Sequence, residues 1–259
     1  MKNNDTHKHN TATFSSPAAL RLKICGMKHN TAEVATLQPD YLGFIFYEKS
    51  PRNYDLPDIP ELRAGIKKVG VFVNAEPDCI LEKVKQFNFD VIQLHGNESP
   101  QYCAELRNRC QIERSRDPLV ETALSPSVKL TTDAVETPVP SEVEVWKVFS
   151  IKDQFDFSIL EDYEAVVDKF LFDTKGKEKG GNGYTFDWSV LKDYNSKKPF
   201  ILSGGIGLEE LAAVNELQAT DLPLIAIDVN SKFEDKPGLK NIKDLRKLFS
   251  SFSIAREAK

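Results

Sequence analysis

The chain has 259 residues, 41% of them hydrophobic and 28% charged, with a formal net charge of −5. That length and apolar content suffice for one large buried core, and α/β barrels of this size commonly form a single domain. A negative balance with a pI near 5.5 excludes a general attraction for nucleic acid or anionic lipid, so any phosphate must be bound by a local site.

Residues 1–19 are polar, unpatterned and rich in Asn, Thr and Ser. They read as a disordered tail without the apolar centre of a signal peptide, and no apolar run reaches the roughly 18 residues of a membrane span. The expectation is therefore a cytoplasmic protein with neither membrane nor nucleic-acid partner. Cys25, Cys79, Cys103 and Cys110 show no CxxC spacing and are expected as reduced thiols. Cys79, Cys103 and Cys110 read as small buried hydrophobes.

From Leu20 onward, short apolar runs alternate with segments of helical period. The runs are Leu22–Cys25, Tyr41–Phe46, Lys68–Val73, Val91–His95, Val145–Phe149, Phe170–Asp173, Phe200–Ser203 and Leu224–Val229. Each is nearly continuous in apolar residues, as strands covered on both faces require. Helical segments follow at Pro77–Phe87, Pro100–Arg109 and Asn241–Phe249. The weakest lies between Phe46 and Val69, where Pro51, Pro57 and Pro60 leave only a short stretch near Ile59–Ile66. Residues 111–143, rich in Ser, Thr, Pro and acidic residues, read as a flexible polar insertion between the fourth helix and the fifth strand. Eight strand–helix units predict an α/β fold, a single-domain (β/α)₈ TIM barrel over residues 20–254.

Active sites of such barrels lie at the carboxyl ends of the strands. There the sequence places Cys25, Arg52, Gln93, His95, Asp173, the turn Ser203-Gly204-Gly205-Ile206-Gly207, and Asp228-Val229-Asn230-Ser231. Cys25 and Asp173 can hold opposite protonation states, one as base and one as acid. An unshifted thiol, with a pKa near about 8.5, is only a few per cent ionised at neutral pH, so nearby positive charge should matter. An unshifted Asp173 would be too acidic to hold a proton, so burial or a bound phosphosugar must raise it. The glycine turn opens the seventh helix, where free amides can hold an anion, and Asn230-Ser231 supplies the companion loop. Residues 174–184, rich in Gly and Lys, read as a loop that closes over substrate. His95 reads as a hydrogen bonder lining the pocket, and four histidines, two of them in the tail, assemble no metal set.

The ordered motifs Lys23-Ile24-Cys25-Gly26-Met27, Gly43-Phe44-Ile45-Phe46 with Ser50-Pro51-Arg52, Val69-Gly70-Val71-Phe72-Val73-Asn74, Gln93-Leu94-His95-Gly96, Leu171-Phe172-Asp173, Ser203-Gly204-Gly205 and Pro237-Gly238-Leu239-Lys240 resemble phosphoribosylanthranilate isomerase across about residues 21–249. The resemblance implies a cofactor-independent Amadori rearrangement of N-(5-phosphoribosyl)anthranilate in tryptophan biosynthesis. It also implies a phosphorylated aminosugar as ligand and other tryptophan-pathway enzymes as partners. Carried over by motif, Cys25 is the general base and Asp173 the general acid, Arg52 holds the anthranilate carboxylate, and Gln93, His95 and Asp228 contact substrate. Gly205, Gly207, Asn230 and Ser231 surround the phosphate. The sequence departs from the family pattern at Asn230-Ser231-Lys232, at Asn182 of the glycine-rich loop, and in the 111–143 insertion. Two alternatives stay open: a related phosphosugar isomerase of histidine biosynthesis or a bifunctional enzyme, and a catalytically silent phosphate binder. The histidine-pathway relatives place an Asp where this chain has Cys25.

Overall fold

The computed structural model describes residues 19–115, 143–152, 154–174 and 188–257. The amino-terminal tail up to residue 18, residues 116–142 of the insertion, and residues 175–187, which take in all of the expected closing loop but Thr174, lie outside the described residues.

Each apolar run becomes a strand: β1 (Arg21–Ile24), β2 (Tyr41–Phe46), β3 (Lys67–Phe72), β4 (Val91–Leu94), β5 (Glu144–Ile151), β6 (Lys169–Thr174), β7 (Phe200–Ser203) and β8 (Leu224–Val229). They form a closed parallel barrel in chain order, with β8 returning to β1 through Leu22↔Ile227 and Lys23↔Asp228. Because strand side chains alternate, the apolar residues divide into two layers. Leu22, Leu42, Phe44, Ile92, Phe170, Phe172 and Ile227 pack outward, whereas Tyr41, Val69, Val71, Trp146, Leu171 and Ile201 fill the interior with Cys25. Trp146 plugs that interior, edge-on to Tyr41 at 5.1 Å, and its indole N–H donates to Glu144 at 2.8 Å. An aspartate just before each of three even-numbered strands sets the register at the opposite pole. Asp40, Asp90 and Asp168 accept from the backbone amides of Leu22, Lys68 and Val145 at 2.8, 2.7 and 2.7 Å.

The helices are α1 (Thr31–Ala35), α2 (Pro77–Phe87), α3 (Pro100–Ser115), α4 (Leu211–Gln218) and α5 (Ile242–Glu257). Pro77 starts α2, where its missing N–H has no helical partner to lose, and Asn88 ends it in the left-handed conformation at φ 51°. No helix forms between β2 and β3: the three prolines leave turns and extended chain instead. The connections after β5 and β6 carry 3₁₀ turns at Phe157–Tyr163 and Trp188–Asp193. α3 runs on to Ser115, into the segment expected as insertion. Cys103 and Cys110 are buried, but Cys79 is exposed, contrary to the expectation, because α2 turns Ile80 and Phe87 inward.

Candidate active site

At the carboxyl ends of the strands a cleft of about 180 Å³ opens, with Cys25, Gln93, His95, Asp173 and Asp228 in its wall. The Ser203-Gly204-Gly205 turn, Asn230, Ser231 and Lys232 complete its rim. Arg52 and Gly207 are not among its lining residues.

Barrel register explains the gathering. Asp173 pairs with Ser203, Ser203 with Asp228, and Asp228 with Lys23, one unbroken row across β6, β7, β8 and β1. Cys25 stands two residues above Lys23, so it shares that inward orientation, and its amide extends the ladder to Val229 O at 2.9 Å. Gly43 on β2 leaves the room: a Cβ there would lie 2.9 Å from Cys25 Sγ and 3.1 Å from Lys23 Nζ.

On the far wall, His95 Nε2 lies 3.5 Å from Asp173 Oδ2, and Gln93 Nε2 lies 3.5 Å from His95 Nδ1. Asp228 Oδ2 accepts from Lys23 Nζ at 2.9 Å and from Ser203 Oγ at 3.5 Å. Asp228 Oδ1 and Gln93 Oε1 are buried acceptors with no hydrogen-bond donor among the described residues. A buried acceptor left unpaired costs about 1–3 kcal/mol, so these two atoms favour a ligand rich in hydroxyl donors.

Arg52 is tied to Glu234, whose carboxylate accepts from Nε at 3.0 and 2.9 Å and from Nη2 at 2.6 Å. Glu234 belongs to β9 (Glu234–Lys236), which pairs with β10 (Leu239–Lys240). It also accepts from Lys240 Nζ at 2.8 Å and from the Gly238 amide at 3.1 Å. This leaves the guanidinium's outer edge, with Nη1, for a second planar anion.

Gly204 and Gly205 turn the chain after β7 with φ of 101° and 68°, values that disfavour any side chain. The helix expected directly after this turn begins only at Leu211, and the Gly207 amide, expected free for an anion, donates to Glu210 Oε2 at 2.7 Å. A phosphate drawing on that amide must displace the Glu210 carboxylate. Lys232 pairs with Glu209 at 3.1 Å on the rim.

Burial, opposed by Lys23 and Lys240, pushes the Cys25 thiol up from its ordinary value. The positive charge expected beside the thiol is present and favours the thiolate, but the low-dielectric interior outweighs both ammoniums. Although burial works against its charge, Lys23 is held above the usual lysine range by Asp228 and Cys25.

Sequence reasoning assigned no role to Lys23, Glu234 or Lys240. Lys23 carried a signal: a lysine inside an apolar strand, two residues before the thiol. Glu234 and Lys240 carried none, because only the short β9–β10 hairpin brings them beneath Arg52.

A family model described as N-(5'phosphoribosyl)anthranilate (PRA) isomerase matches residues 22–122 and 129–251. An N-(5'-phosphoribosyl)anthranilate isomerase of Parabacteroides distasonis is 37% identical over 235 residues, 87% of this chain and 90% of that relative. The crystal structure of phosphoribosyl anthranilate isomerase from Thermotoga maritima aligns with a TM-score of 0.65 at 26% identity, covering 91% of this chain and 99% of that one. A further structure, of phosphoribosyl anthranilate isomerase in complex with reduced 1-(o-carboxyphenylamino)-1-deoxyribulose 5-phosphate, aligns with a TM-score of 0.63 at 24% identity over 90% and 98% of the two chains. With its thiol, carboxylates and glycine turn gathered at the mouth of a closed barrel, the chain belongs to the N-(5'-phosphoribosyl)anthranilate isomerase family.

Proposed function

We propose that this enzyme carries out its family's reaction, the Amadori rearrangement of N-(5'-phosphoribosyl)anthranilate to 1-(2-carboxyphenylamino)-1-deoxyribulose 5-phosphate in tryptophan biosynthesis, with Asp173 as general acid and Cys25 as general base. The observation that carries this division of labour is that both side chains face one cleft from strands three places apart around the barrel. Protonated Asp173 gives its proton to the furanose ring oxygen as the C1′–O bond breaks and the anthranilate nitrogen lone pair forms the C=N bond. Cys25, as thiolate, takes the C2′ proton, and the C–H electrons flow back to nitrogen to leave an enolamine. The enol proton then leaves O2′ as C1′ gains one, so the rearrangement is redox-neutral within the substrate and its atoms balance without a cofactor. His95, 3.5 Å from Asp173, holds the acid in place.

Asp228 Oδ1 and Gln93 Oε1, both without a donor among the described residues, accept from sugar hydroxyls. The outer edge of Arg52 takes the anthranilate carboxylate, a match of planar donors to two oxygens. Gly205, Gly207, Asn230 and Ser231 enclose the phosphate once Glu210 has swung away. A cytoplasmic setting, with other tryptophan-pathway enzymes as partners, is part of the proposal and rests on the biosynthetic activity of the family.

The test is fluorescence-monitored turnover of N-(5'-phosphoribosyl)anthranilate. Cys25→Ala and Asp173→Asn should each lose at least about a hundredfold in kcat. Near-parental activity in either removes that residue from its role. Assaying the aminoaldose of histidine biosynthesis beside it separates a dedicated enzyme from a bifunctional one.

A further inference from the structure

The proposed reaction leaves a conspicuous charge unused. Lys23 is fully buried inside the barrel, its Nζ donating to Asp228 Oδ2 at 2.9 Å, and it stands two residues below Cys25 on the same inward face of β1. Both groups line the gap left by Gly43, where a Cβ would lie 3.1 Å from the ammonium and 2.9 Å from the sulfur. Taking an ammonium out of water is unfavourable, and a pair placed only for stability would be replaceable by apolar packing. Its position directly beneath the thiol is what a stability role leaves unaccounted for.

We propose that Lys23 is a positioning residue for Cys25: the ammonium is the resident counter-charge that makes the thiolate attainable inside the barrel, and Asp228 anchors it there. The inference rests on the assignment of Cys25 as base. The thiol proton leaves to solvent through the cleft that Cys25 lines. Other charges also face the sulfur. Asp228 on β8 disfavours the thiolate and Lys240 on β10 favours it. Lys240, however, is committed to Glu234 and to Asn230 Oδ1 at 2.8 Å each, and Arg52 to Glu234. Asp173 and His95 stand across the cleft, paired with each other. Without Lys23, an ionising Cys25 would face the Asp228 carboxylate unshielded, and like charges oppose ionisation.

The measurement is alkylation of the full-length protein by iodoacetamide from about pH 6 to about pH 10, read by mass spectrometry on the Cys25-bearing peptide. That readout keeps exposed Cys79 out of the signal. Lys23→Gln keeps a donor for Asp228 but removes the charge. Its alkylation midpoint should rise by at least about one pH unit, which is about tenfold slower reaction at a fixed pH below both midpoints. The acid limb of kcat/KM should move up by the same amount, and kcat should fall at least about tenfold with KM changed by less than about threefold. A purely structural lysine predicts a folded variant whose midpoint stays within about 0.3 units of the parent, and that result overturns the proposal. If Lys23→Gln does not fold, Lys23→Met with Asp228→Asn removes both charges of the pair. A midpoint above the parent's then supports the proposal, and one at or below it overturns it. Full turnover in Cys25→Ala would instead refute the base assignment, while the alkylation midpoint still reports on Lys23.

Discussion

Gly43→Ala adds one methyl group to the barrel wall at the point where the base sits. The new Cβ would lie 2.9 Å from Cys25 Sγ, 3.1 Å from Lys23 Nζ and 3.2 Å from the α-carbon of Cys25. Comfortable separations between such atoms are about 3.5–4.0 Å, so sulfur and ammonium must each retreat by roughly 0.5–1 Å. The third neighbour is main chain, held in the β1–β8 ladder, and the site cannot relax as a rigid body. Overpacking of this kind costs about 1–3 kcal/mol, and Ala in place of Gly within a strand returns about 0.5–1 kcal/mol. The net loss of about 0–2.5 kcal/mol lowers the melting temperature of a chain this size by no more than about 10 °C. Catalysis is more sensitive, because a misplacement of about 1 Å can cost about a hundredfold. Circular dichroism melts and turnover well below the melting temperature separate the two effects. A folded Gly43→Ala protein whose kcat stays within about threefold of the parent would show that the thiol's position does not limit the reaction.

Glu234→Gln removes the carboxylate that holds Arg52 and Lys240. Breaking a buried pair costs about 3–5 kcal/mol, and Arg52 is 20% exposed, so a loss of about 2–3 kcal/mol and a melting temperature about 5–10 °C lower are expected. KM should rise more than kcat falls, since Arg52 loses its aim, and an unchanged KM would take Arg52 out of the carboxylate site. At the opposite pole, burial alone would raise Glu144, but Lys169, Trp146 and Lys67 hold it down at about 2 against an ordinary 4.5. A carboxylate depressed on folding contributes stability above its unfolded value and loses it as pH falls, here between 4.5 and about 2. Melting temperatures across that window should fall less steeply in Glu144→Gln than in the parent, and parallel profiles would contradict the assignment.

All eight strands were legible because β-strands covered on both faces of a barrel must be apolar nearly throughout, and the interruptions between them are polar. That same property hid which residues face inward. In Leu22-Lys23-Ile24-Cys25 only Lys23 interrupts the apolar run, so the alternation that sends Lys23 and Cys25 into the barrel shows in hydropathy at a single residue. Cys25, Asp173 and Asp228 were found by position at strand ends, which requires only the strand count. Arg52's partner was not, because Glu234 lies 182 residues away and approaches through a hairpin too short to show a pattern. The occupied amide of Gly207 had a local sign in the sequence: a carboxylate three residues on, Glu210, is close enough to fold back onto it. The missing helix between β2 and β3 follows from Pro51, Pro57 and Pro60, which the sequence showed, whereas the 3₁₀ turns at Phe157–Tyr163 and Trp188–Asp193 left no period to read.

The charges around the thiol explain how a buried sulfur can serve as base. Lys23, Lys240 and Arg52 pair with Asp228 and Glu234, three basic groups with two carboxyls, and burial pushes the Cys25 thiol up. Burial opposes the thiolate, yet forming it brings this cluster to neutrality, so the desolvation cost of a new anion is offset by a surplus already in place. An anthranilate carboxylate docked on Arg52 neutralises that surplus from outside. Once substrate is bound, the cation left to face the sulfur is therefore Lys23, because Lys240 remains committed to Glu234 and Asn230. On this reasoning the loss of Lys23 should be felt more in the substrate complex than in the free enzyme. The acid limb of kcat should then move further than that of kcat/KM in Lys23→Gln, and equal displacement of the two limbs would show that Arg52 and the sulfur are electrostatically independent.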